Sequence, residues 1–135
     1  MFKDTKAFSG FSVDDLQRAK AFYADVLGLL LSEHREMRGI MTLHVAGGHD
    51  IVVYEKENHI AATFTILNFP VRQIAVAVAQ LQARGVKFEH YDFEHFKTDA
   101  DGIFRGGGPL IAWFKDPAGN ILSVIEQTEP IEHAP

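Results

Sequence analysis

Residues able to do chemistry are unevenly placed in this sequence. It has seven histidines (His34, His44, His49, His59, His90, His95 and His133) and no cysteine. Without thiols there is no disulfide, no thiolate nucleophile and no Cys-held zinc or iron–sulfur centre. The histidines do not form HExxH, and His90 and His95 share a loop that has no partner motif. His44 is the leading candidate for an imidazole that contacts a ligand or metal. It falls mid-strand with Thr42 on the same face, and its alternative role is a hydrogen-bonded structural histidine. Asp99-Ala100-Asp101-Gly102 begins like a calcium loop but lacks the spacing and closing Glu, so it reads as a polar turn. Gly106-Gly107-Gly108 fits neither phosphate-binding fingerprint and reads as a hinge or turn. Arg105 beside it has the fork that clamps a carboxylate or phosphate, although an exposed loop arginine needs no such task. Asp14-Asp15 stands where a helix begins, which suits a cap better than an acid–base pair.

The elements that position these residues belong to a chain of 135 residues, a common size for one domain. The composition is 47% hydrophobic and 23% charged, which is globular and argues against a disordered, fibrous or coiled-coil protein. Thirteen basic against eighteen acidic residues give a net charge of -5, so the broad positive field that holds nucleic acid is missing. The charged start, Met1-Phe2-Lys3-Asp4-Thr5-Lys6, is no secretory signal, and no run approaches the roughly 18 apolar residues of a membrane span. The expectation is a cytoplasmic protein with neither nucleic-acid nor membrane partners.

Self-similarity organises the chain. FSVDDLQRAKAFYADVLG from Phe11 superimposes on FPVRQIAVAVAQLQARGV from Phe69, 58 positions on, with Leu16 falling on Ile74 and Ala19 on Ala77. Each segment runs from a short strand into a helix. The stripes Leu16, Ala19, Tyr23, Val26 and Ile74, Ala77, Val78, Leu81 have the spacing of one apolar helix face, and Gly28 and Gly85 suit left-handed C-caps. Strand signals follow at Ile40–Val45 and Ile51–Tyr54, then at Leu110–Phe114 and Ile121–Ile125 across an Asp116-Pro117-Ala118-Gly119 turn. Two βαβββ units are expected, at about 6–57 and 60–127, within a single α+β domain over 1–135. The stretch Glu89–Pro109, with Tyr91, Phe93, Phe96 and Phe104, is irregular and reads either as a loop covering a site or as a solvated loop held by its rings.

The paired halves, FSVDDLQRAKAFYADVLGL and WFKDPAGNILSVIE together resemble the vicinal-oxygen-chelate superfamily, which includes glyoxalases, bleomycin-resistance proteins and extradiol dioxygenases. The likeness runs from about Lys6 to Gln127. It implies a half-open, curved eight-stranded sheet with helices on its outer face, and a homodimer. It also implies four cleft-facing positions that hold metal ligands in the metal enzymes; here they carry Phe8, Val52, Ile66 and Ser123. Three of these have no donor atom and a neutral serine is a poor lone ligand, so the expectation is no metal and no cofactor.

Without a chelate, the cleft floor becomes an apolar surface suited to a hydrophobic or aromatic guest. Period-two alternation counted from the four positions that the resemblance supplies points Phe8, Gly10, Val52, Tyr54, Phe64, Ile66, Asn68, Ile121 and Ser123 into the cleft, with Val13, Val53, Leu67, Phe69, Leu122 and Val124 under the helices. Asn68, Tyr54, Ser123 and His44 are the polar handles. Tyr91, Arg105 and Trp113 complete the candidate ligand contacts, Trp113 serving either to stack on a ligand or to fill a dimer seam. The leading reading is a metal-free protein that sequesters or senses a small molecule, as bleomycin-resistance-like proteins do. The alternatives are a lyase or dioxygenase with relocated ligands or with acid–base catalysis by His44, Tyr54 or His90, and a structural or regulatory dimer whose cleft is filled.

Overall fold

A computed structural model describes residues 1–127, so His133 lies outside the described residues. The chain divides into two compact units, at residues 1–61 and from 62 onward. In the first, β1 (Ser9–Val13) leads into α1 (Leu16–Ala21), which continues as a π-helical turn (Phe22–Val26). The strands β2 (Leu30–Glu33), β3 (Ile40–Val45) and β4 (His49–Glu55) follow. The sheet order is β1-β4-β3-β2, with β1 parallel to β4 and the other pairs antiparallel.

The expected alternation holds in this unit. Val13, Met41, Leu43 and Val53 are fully buried on one face, and Leu16, Ala19 and Tyr23 of the helix are buried with them. Removing each large side chain from water stabilises the unit by about 1.5–3 kcal/mol. Asp15 caps α1 as its position suggested, its Oδ1 accepting from the amides of Gln17 (3.1 Å) and Arg18 (3.2 Å). A second cap is not visible in the local sequence. Glu55, at the end of β4, accepts from the Leu16 amide at 2.9 Å.

The second unit repeats the plan with β5 (Thr65–Val71), α2 (Ile74–Ala83), β8 (Ile103–Phe104), β9 (Ile111–Lys115) and β10 (Ile121–Glu126) in the order β5-β10-β9-β8. Ile74, Val78, Ala112, Phe114, Leu122 and Val124 form its core, with Leu67 and Phe69 half-buried. Glu126 accepts from the Ile74 amide at 3.0 Å, the counterpart of Glu55 and Leu16. The pairing Gly10↔Val52 in one unit likewise matches Asn68↔Ser123 in the other.

The eight strands expected of the two repeats form two four-stranded sheets. Two details differ from the sequence reading. The stretch Glu89–Pro109 is not a loop throughout: it holds a two-stranded ribbon, β6 (Asp92–Phe93) with β7 (Phe96–Lys97), and then β8. Two-residue strands are too short to show a period of two. In β5 the alternation breaks at a bulge, where Thr65 opposes Ile121 and Leu67 opposes Leu122, leaving Ile66 as the extra residue.

Candidate functional site

The candidate residues fall into two groups, one in each unit. Phe8, His44, Val52 and Tyr54 belong to the first, on the sheet face turned away from α1. The register places Thr42 opposite Val52, Ile40 opposite Tyr54 and His44 opposite Asp50, with Gly10 beside Val52 on the parallel side. Phe8 is 71% exposed, just before β1, and Tyr54 is also exposed. A cavity of about 580 Å³ is lined by Phe8, Val52, Thr42, His34, Asp50 and Lys6, among others. Two of the four positions singled out by the resemblance therefore share one wall, whereas His44 and Tyr54 stand outside it.

His44 is held at both ring nitrogens. Its Nε2 lies 2.9 Å from Ser32 Oγ and its Nδ1 lies 3.0 Å from Asp50 Oδ1. An ionised carboxylate can only accept, so Nδ1 carries a proton, and in the neutral imidazole Nε2 is then the acceptor for the serine hydroxyl. His34 Nε2 lies 3.2 Å from Thr42 Oγ1, and Ser12 Oγ lies 2.6 Å from His59 Nδ1. Ser32 and Asp50 did not emerge from the sequence. The tight Ala46-Gly47-Gly48 turn held the clue for Asp50: it pairs Val45 with His49 and hence His44 with Asp50. Ser32 depends on the β2–β3 register, which no turn motif announces.

In the second unit the aromatic residues fold back on one another. Trp113, opposite Ser123, lies with its ring centroid 5.7 Å from Tyr91, 5.2 Å from Phe96 and 6.3 Å from Phe104. Phe96 and Phe104 stack at 4.7 Å. The indole Nε1–H donates to Thr65 Oγ1 at 3.1 Å, so the bulge in β5 places Thr65, not Ile66, beside Trp113. Ser123 is fully buried and its hydroxyl donates to Asn68 Oδ1. Phe64 is exposed just ahead of β5, and Ile66 is half-buried. Burial, reinforced by the charge of Glu89, raises the pKa of Tyr91 above that of a free phenol.

Arg105 is committed to a neighbour: its Nε donates to Asp99 Oδ2 at 2.8 Å. Asp99 Oδ1 also accepts from the amides of Asp101 and Ile103, each at 2.9 Å, closing the polar turn. Partial burial works to raise the pKa of Asp99, but the bonds from Arg105, Ile103 and Asp101 and the charge of Arg105 outweigh it and leave it below the ordinary carboxylate value.

A divalent metal does not fit the four positions where the resemblance implies ligands. Phe8, Val52 and Ile66 offer no donor, and the Ser123 hydroxyl is buried against Asn68. Among the described residues, no group of three or more His, Asp or Glu side chains is placed to hold a metal ion. No helix among them is long and apolar enough to cross a membrane.

The family model described as the Glyoxalase/Bleomycin resistance protein/Dioxygenase superfamily matches residues 8–124. Among curated proteins, none matches the sequence. Solved structures share the fold. A superfamily member from Sphaerobacter thermophilus is 20% identical with a TM-score of 0.67, the match covering 91% of this chain and 98% of that one. A glyoxalase family protein from Enterococcus faecalis is 22% identical, TM-score 0.63, covering 93% and 100%. TnmS3, an antibiotic binding protein from a Streptomyces species, is 19% identical, TM-score 0.61, covering 91% and 97%.

Proposed function

This chain belongs to the glyoxalase/bleomycin resistance protein/dioxygenase superfamily, and on that premise we propose that it is a cytoplasmic small-molecule-binding protein that sequesters or senses a hydrophobic or aromatic guest. The observation that carries this reading is the cavity of about 580 Å³ in the first unit, with Phe8 and Val52 in its wall. Its volume is in the range of about 300–1,000 Å³ that holds small organic molecules. Phe8 supplies an exposed aromatic face and Val52 an apolar floor, while Thr42, His34, Asp50 and Lys6 provide polar and charged groups at the margin. The superfamily position that would carry a chelating side chain in a metal enzyme thus becomes a surface for stacking and apolar contact. TnmS3, of the same fold, is described as binding an antibiotic, which is consistent with a binding role on this scaffold.

The test uses 1-anilinonaphthalene-8-sulfonate, whose ring system matches the apolar wall and whose sulfonate matches Lys6. The expected result is saturable binding by fluorescence, weakened at least about tenfold by Phe8→Ala and by Val52→Asp, each variant keeping the wild-type circular dichroism. An unresponsive wild-type protein, or equal binding by the folded variants, would overturn the assignment.

A further inference from the structure

Strands β2, β3 and β4 bring together three side chains that the binding role does not use as a set. Leu30 pairs with His44, Ser32 with Thr42, and His44 with Asp50. All lie on the face opposite the buried Met41, Leu43 and Val53. Ser32 Oγ meets His44 Nε2 at 2.9 Å and His44 Nδ1 meets Asp50 Oδ1 at 3.0 Å. The two ring nitrogens are used in the order a nucleophilic relay requires: hydroxyl on Nε2, carboxylate on Nδ1. The His44 and Asp50 side chains are 42% and 59% exposed, so a solute can reach them.

The neighbourhood supplies two further parts. The His34 amide donates inward to Ile40 O. Alternation along the antiparallel ladder therefore turns the Ser32 N–H inward and the Glu33 N–H outward, on the edge where β2 has no strand neighbour among the described residues. The residue after the nucleophile thus presents a backbone donor at the sheet edge, as oxyanion holes often do. The Lys20 ammonium, 3.2 Å from the Glu33 carboxylate, offsets the nearest negative charge. Leu30, 75% exposed and across from His44, provides an apolar platform beside the hydroxyl.

We propose that Ser32, His44 and Asp50 form an acyl-transfer site for small activated esters with an apolar acyl group. Ser32 Oγ forms a bond to the acyl carbon as its proton passes to His44 Nε2. The ester C–O bond then breaks, and the leaving alcohol or phenol takes that proton. Water, deprotonated by the same nitrogen, releases the carboxylic acid and restores the serine. Ser32 and His44 are the catalytic residues and Asp50 is a positioning residue that holds the imidazole. This activity goes beyond the binding proposal and does not depend on it.

The experiment measures hydrolysis of p-nitrophenyl butyrate and labelling by a fluorophosphonate, in which Ser32 Oγ displaces fluoride and forms a phosphonate ester. The full chain is expected to show saturable hydrolysis above buffer and one label, mapped to Ser32. Ser32→Ala and His44→Gln should each lower kcat on the order of a hundredfold and abolish the label. Asp50→Asn should lower kcat while leaving KM within about twofold. Ser12→Ala, at a serine that touches a different histidine, His59, should leave both readouts unchanged. Circular dichroism confirms that each variant is folded. No label on Ser32, or a folded Ser32→Ala variant with the wild-type rate, would overturn the proposal.

Discussion

Asp99 shows how much a single carboxylate can organise. It closes a turn through two amides and holds Arg105, so its charged form is favoured in the fold. A depressed pKa stabilises the folded state above the unfolded value, here 3.8, and that contribution is lost as the pH falls through the lower folded value. Asp99→Asn should therefore lower stability at pH 7, with the difference from wild type narrowing as the pH is brought below 3.8. Urea melts of both proteins across that range check this, and a constant difference would refute the charge-based account. The turn itself was legible in Asp99-Ala100-Asp101-Gly102, but the partner six residues away was not, because it depends on how the chain crosses after Gly102. The same holds for His44. Its strand and face were readable from period-two patterning, whereas its two hydrogen-bond partners required the register of three strands.

At the level of elements, the helices are anchored from outside their own sequence. Leu16 and Ile74 begin α1 and α2, and their amides are taken up by Glu55 and Glu126, which end β4 and β10. An N-terminal amide left without a partner is costly, and a carboxylate also suits the positive end of the helix dipole. Glu55→Ala and Glu126→Ala should each cost about 1 kcal/mol. The loss should be larger at Glu126, because Asp15 provides a second cap for α1 whereas Gln73 makes no side-chain cap for α2. Chemical denaturation of the two variants ranks them, and equal losses would mean that the Asp15 cap provides no reserve. The repeat made α1, α2 and the strands that lead into them easy to locate, since Phe11 and Phe69 start matched segments, but it did not locate β2 or β8. It did not expose the β5 bulge or the β6–β7 ribbon. A bulge has no local composition signal when the extra residue is an ordinary Ile66, and Phe93 and Phe96 look like loop aromatics until they pair.

For the molecule as a whole, the informative property is what the two units share and what the four positions carry. The capping carboxylates and the strand registers recur in both units, so the architecture of the superfamily is intact. The four positions where the resemblance implies metal ligands carry one hydroxyl among them, and that hydroxyl is buried against Asn68. A divalent ion held at a hundred times its dissociation constant would add about 2.7 kcal/mol of stability. For a domain of this size that amounts to several degrees in Tm. Incubation with zinc, nickel, manganese or ferrous iron is accordingly expected to change Tm by less than about one degree, with metal after dialysis well below one per chain by plasma mass spectrometry. Retention of about one ion per chain with a rise of several degrees would contradict this. The next variant would then be His44→Ala, because His44 is the imidazole on the first sheet that already faces a carboxylate. Retention lost in that variant would place the metal on the His44 imidazole, on a ring nitrogen that the acyl-transfer proposal needs either as general base or for its bond to Asp50, and would also end that proposal.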